Sequence, residues 1–200
     1  MPRPSRRTVI AVVASVAAVG LAVGLPLFQP WRLFTNTVVD ESLPGAPADA
    51  APTTPAPTST APGTDTSPSM PQSSTRPPTV SAGPVTLARG TFITHEHDTT
   101  GTAAVIRLAD GSRVLRLEGL DTSDGPDLEV WLTDAEVVEG TRGWRVFDDG
   151  TYVDLGDLKG NQGNQNYAIP ADVDLSKFRS VSIWCDRFNV SFGAAALATA

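Results

Sequence analysis

Proline is spread so unevenly along the chain that only part of it can build a hydrophobic core. Eleven of the seventeen prolines fall between Pro44 and Pro84, in a stretch otherwise made largely of Thr, Ser, Ala and Gly. Such a segment has almost nothing to bury, cannot offset its own ordering entropy, and is expected to stay extended, partly as polyproline II. Residues 29–84 therefore read as a disordered stalk, with a composition that also suits O-glycosylation.

Upstream of the stalk, Arg3, Arg6 and Arg7 precede a charge-free run of 21 residues, Thr8–Phe28. A helix needs about 20 residues to cross a bilayer, and Trp31 follows at the level where aromatic rings favour the interface. The run is longer than the core of a signal peptide and lacks a small-residue cleavage site. The expectation is an uncleaved signal-anchor in the cell membrane. Residues 1–7 form a cytoplasmic tail, and everything after Phe28 lies outside, by the positive-inside rule.

That leaves residues 85–200 as the one folded, extracytoplasmic domain, within the usual size range. It carries ten Lys and Arg against eighteen Asp and Glu, a net charge that argues against nucleic acid and against adsorption to an anionic surface. The chain's single cysteine, Cys185, forbids an internal disulfide.

The domain has the texture of an all-β protein. Candidate strands are Ala88–His95, Thr102–Leu108, Arg113–Glu118, Asp127–Thr133, Gly143–Phe147 and Thr151–Leu155, with turn signals between them such as Asp110-Gly111, which suits a hairpin. Strands of this spacing with no long helical period predict a single antiparallel sandwich or barrel. A short helical turn is expected within Asp172–Phe178. The last stretch, Ser180–Gly193, changes phase: Val181, Ile183 and Cys185 share one side, while Phe188, Val190 and Phe192 share a side on the opposite parity. A straight strand cannot do this, so Asp186-Arg187 must be a turn or bulge. Cys185 then sits on a core face at the lip of that break.

Four strings give the domain a signature: Gly90–Ala103 (GTFITHEHDTTGTA), Leu108–Thr133 (LADGSRVLRLEGLDTSDGPDLEVWLT), Asp154–Pro170 (DLGDLKGNQGNQNYAIP) and Ser180–Gly193 (SVSIWCDRFNVSFG). In this order they resemble the DM-thirteen domain, an extracellular module also found beside DOMON domains in Skeletor-type proteins. The resemblance runs from Leu87 to Leu197 and excludes anchor and stalk. It implies electron transfer through the cysteine, which here is Cys185.

Two functional readings follow. In the first, Cys185 is a redox thiol flanked by Trp184, with Arg187 supplying positive charge against Asp186; a lone thiol then needs a second envelope protein as redox partner. In the second, Cys185 is only packed, and the domain binds a polar ligand. Asn161, Gln162, Asn164, Asn166 and Tyr167, whose carboxamides donate and accept at once, would make the contacts together with the Asp121–Asp127 turn through Asp121 and Asp124. His95 and His97 read as a surface loop, too few for a structural zinc site, and no metal is expected. No cofactor is identifiable, and covalent haem is excluded for want of its two-cysteine signature. Without a nucleophile elbow or a separate base, hydrolase chemistry is not expected.

Overall fold

The computed structural model describes residues 5–29, 31–32, 35–45 and 83–200. Most of the expected stalk, residues 46–82, lies outside them. The first element, α1 (Arg6–Phe28), has a mean hydropathy of 2.4 in its most apolar window and no buried residue, and is long and apolar enough to cross a membrane. Ser5 caps it by accepting the Thr8 N–H at 3.2 Å, which satisfies one of the helix's orphan donors. Gln29 closes it in the left-handed region at φ 39°.

The rest is β, as expected. Ten strands form one curled sheet: β1 (Val38–Asp40), β2 (Val85–Thr94), β3 (Thr100–Arg107), β4 (Arg113–Asp121), β5 (Leu128–Thr133), β6 (Tyr152–Asp157), β7 (Gln162–Ile169), β8 (Ser180–Cys185), β9 (Val190–Ala196) and β10 (Ala198–Thr199). Nine lie in the order β1-β7-β4-β3-β2-β9-β8-β5-β6, with β10 beside β2. The long strand β2 makes the curl: it runs along β3 through Thr91 and along β9 from Phe92. Every pairing is antiparallel except β1 with β7, so the sheet is mixed and open, a half-barrel.

The concave face holds the main core, including Phe92, Leu115, Leu117, Leu120, Val130, Leu132, Ile183, Cys185, Val190 and Phe192. A second cluster of Trp131, Phe147, Trp184 and Ala194 lies on the other face of β5, β8 and β9. The connection from Asp134 to Gly150 covers it. Gly143–Phe147, read as a strand, belongs to this cover and is turn instead. Gly143 is required there, because a Cβ would strike the Val138 carbonyl. With both faces covered, β8 is buried at all six positions, although its alternation suggested one wet face.

β7 is the strand that the sequence concealed as an Asn/Gln loop. Amides are poor strand formers, yet Gln165, Tyr167 and Ile169 point inward and are buried. β1 comes from the stretch read as stalk: residues 36–42 lie along β7. Gly163, at φ 101°, takes the close approach of Val39, whose carbonyl a Cβ would meet. The predicted helical turn is a single 3-10 turn, Leu175–Lys177.

Because β1 covers the outer edge of β7, a chain lacking it exposes unpaired backbone and the partners of several buried amides. Each net hydrogen bond contributes about 0.5–1.5 kcal/mol. Residues 83–200 alone should therefore melt several degrees below residues 31–200, measured by calorimetry. Equal melting temperatures would mean that β1 docks without stabilising the sheet.

Candidate functional site

The break expected at Asp186-Arg187 is a 3-10 turn, Asp186–Phe188, ending at Asn189 with φ 53°. Phe188 belongs to this turn and is 38% exposed, so it does not share the core face with Val190 and Phe192. A register shift between Ile183 and Trp184 adds a bulge just before the turn. Cys185 stands at the N-terminal cap position of the turn, in extended backbone, and its side chain makes no capping hydrogen bond.

Cys185 is free and has no exposed surface. Burial pushes its thiol above the ordinary value; the nearby backbone N–H groups of Phe188 and Arg187 work against this shift, and the carboxylates of Asp127 and Glu96 reinforce it. The Arg187 guanidinium turns away, donating to the Leu27 carbonyl of α1 at 3.0 Å and pairing with Asp127 at 3.6 Å. The thiol is therefore protonated at neutral pH, the opposite of an activated cysteine.

Trp184, one residue earlier, points to the other face. Its ring stacks on Trp131 with centroids 4.9 Å apart, and Trp131 stacks in turn on Tyr152 at 3.9 Å and 6°. Phe147 meets Trp184 edge-on at 6.4 Å.

Beside this aromatic group lies a polar pair that sequence reasoning missed. His95 is buried and not on a surface loop. Its Nδ1 is 2.9 Å from Ser191 Oγ and its Nε2 is 3.2 Å from the Val138 carbonyl. That carbonyl can only accept, so Nε2 carries the proton and Nδ1 is an acceptor facing Ser191, whose hydroxyl accepts from Ser182 Oγ at 2.9 Å and also lies 3.1 Å from the Gly193 carbonyl. His95 shares its parity with Ile93, which pairs with Ala194 of the second cluster, but the partner that marks its burial is 96 residues away. A Ser–His pair closed on both sides by its own chain ties the cover to the sheet and offers no substrate access. His97 lies apart, over Phe192 with centroids at 4.0 Å. Among the described residues no group of three His, Cys, Asp or Glu side chains is placed to hold a metal ion.

The carboxamides expected to meet a ligand are engaged within the chain. Asn161 donates to Asn36 and to the Thr122 carbonyl and accepts the Thr37 N–H at 2.7 Å. Gln162 donates to Asp121 at 3.0 Å, and Asn164 to Asp40 at 2.7 Å. Asn166 bonds Glu41, the Ser42 carbonyl and Arg116. Glu41 also pairs with Lys159 at 2.8 Å, and this bond is the chief reason its carboxyl is held below the usual range. Tyr167 donates to Gln165 and accepts from the Lys159 N–H, and burial pushes its phenol up to about 12. Asp124 accepts from Thr35 and pairs with Arg32 at 3.4 Å. The predicted residues thus separate into two places: Cys185, Trp184 and Arg187 at one end of β8, and the amides on the β7 edge.

A curled all-β module with one buried thiol behind an apolar helix is the class that this geometry defines. The chain belongs to the electron transfer DM13 family, whose profile matches residues 91–197. No curated protein and no solved structure matches it. The segment that covers β7, residues 36–42, lies outside the matched region.

Desolvation holds the buried His95 below its ordinary value. The unfolded chain takes up a proton near pH 6.5 that the folded chain refuses, so this contribution to stability is full above about pH 6.5 and is lost as pH falls toward the folded value. Two-dimensional NMR should find the His95 ring titrating below 6.5, alongside denaturant midpoints that drop between pH 7 and 5. Titration of that ring at or above its ordinary value would refute the account.

Proposed function

We propose that the chain is a membrane-anchored electron-transfer module, held outside the bilayer by α1, in which the Cys185 strand works while closed. Membership of the electron transfer DM13 family supports the class of function, and the length and apolarity of α1 support the anchor. The single observation that carries the finer reading is the complete burial of Cys185. A mixed disulfide or a sulfenic acid needs a thiolate reached from solvent, and this thiol is neither ionised nor reachable. Transfer of single electrons to or from a partner protein needs no contact with the sulfur. The alternative, a polar-ligand site on Asn161, Gln162, Asn164, Asn166 and Tyr167, has less support, because those groups spend their hydrogen bonds on residues 36–42, on Asp121 and Thr122, and on each other.

The test pairs two measurements on the full chain in detergent. A thiol reagent at neutral pH should leave Cys185 unlabelled until denaturant is added. Hexachloroiridate(IV), a one-electron oxidant, should be consumed in larger amount by the folded wild type than by Cys185→Ala. Rapid labelling of the folded chain would replace this reading with thiol exchange. Equal oxidant consumption by the two proteins would make Cys185 a packing residue and return the lead to ligand binding.

A further inference from the structure

The rings of Trp184, Trp131 and Tyr152 stand on one face of three adjacent strands, β8, β5 and β6, and step diagonally to the free edge of the sheet. Exposure rises along the steps, from 0% at Trp184 and 3% at Trp131 to 43% at Tyr152. The second step is nearly parallel, at 3.9 Å and 6°, and the first is tilted by 24° at 4.9 Å. Packing alone asks only for bulk at these positions. What bulk does not explain is the treatment of the two indole N–H groups. Trp131 Nε1 donates to Glu129 Oε2 at 2.7 Å. Trp184 Nε1, fully buried, has no hydrogen-bond partner among the described residues, an arrangement that costs stability.

We propose that Trp184, Trp131 and Tyr152 form a one-electron relay between the interior beside Cys185 and a basic redox protein docked on the β6 edge, with Glu129 as proton acceptor for Trp131. The proposal rests on the electron-transfer reading above and adds its route and its partner surface. When the oxidised partner takes one electron through the face of Tyr152, Trp131 is the ring left oxidised. Its indole proton moves along the existing hydrogen bond to the Glu129 carboxylate, leaving a neutral indolyl radical beside a carboxylic acid. One electron returning from a one-electron donor docked at the edge restores the indole as Glu129 gives the proton back. The partner is reduced by one electron, and no proton leaves the protein.

The surroundings fit those roles. Burial pushes the Glu129 carboxyl up, and Asp154, Asp186 and Asp127 add to the effect; Arg187 faces the group through its pairing with Asp127. A more basic carboxylate is a better acceptor for the indole proton. Trp184 has no base at its nitrogen, so its oxidised form stays a buried, uncompensated cation, which is expensive. The oxidised state therefore rests on Trp131 rather than deeper in the sheet. Asp154 and Asp157 on β6 give the exit edge a negative charge that draws a basic partner.

Photogenerated tris(bipyridine)ruthenium(III), a cationic one-electron oxidant, serves as the probe on the full chain in detergent, in a Trp31→Phe, Trp144→Phe background. Freeze-quench EPR should find a deprotonated tryptophan radical, lost in Trp131→Phe and slower to form in Tyr152→Phe. Glu129→Gln keeps a hydrogen-bond acceptor for the indole and removes the base, so its radical should persist as the protonated cation. Circular dichroism and melting identify any variant that fails to fold. A signal confined to Tyr152, or a radical whose protonation ignores Glu129→Gln, would reduce the stack to packing. A Trp131 radical with no dependence of oxidant consumption on Cys185 would leave the relay standing and overturn the role of the thiol. Dependence on Cys185 with no Trp131 radical would do the reverse.

Discussion

Burial of β8 on both faces is the constraint from which the rest of the domain follows. One side of this strand, through Val181, Ile183 and Cys185, completes the concave core; the other, through Ser182 and Trp184, needs a second roof. An antiparallel sheet commonly leaves one face to water. Here the connection from Asp134 to Gly150 supplies the roof, and Gly143, Phe147 and the hydrogen bond from His95 to the Val138 carbonyl hold it down. Loss of the roof would wet the largest side chain of the interior.

The same arrangement sets the chemistry. Cysteine and tryptophan are neighbours in sequence but sit in different clusters, separated by the thickness of the sheet. The thiol lies in apolar surroundings with carboxylates beyond them, which suppresses ionisation. The indole lies at the inner end of a stack that reaches solvent. A strand that presents an oxidisable group to each side of a sheet is closed to reagents and still within short range of a surface.

Much of this was legible in the sequence, and the failures have physical causes. The parity change across Asp186-Arg187 required a turn, and the turn is there. The strands around Asp110-Gly111 were found because alternation and turn chemistry agreed. β7 was hidden because its outward positions carry amides, and Asn164 and Asn166 find partners in residues 40–42, more than a hundred residues upstream. The same distance made Asn161, Gln162, Asn164 and Asn166 look like an unused binding surface. Trp131 and Tyr152 carried no local signal, since their role depends on strand order rather than on spacing.

Residues 36–42 also change what the proline-rich segment can do. With β1 paired to β7 and β2 beginning at Val85, that segment leaves the domain and returns to it. A spacer sets height, whereas a loop closed on one body does not, however long it grows. With α1 as the anchor proposed above, the leash from bilayer to sheet is instead the nine residues 29–37, at most about 30 Å if fully extended. On that proposal, a redox partner of this domain works in the thin layer next to the membrane.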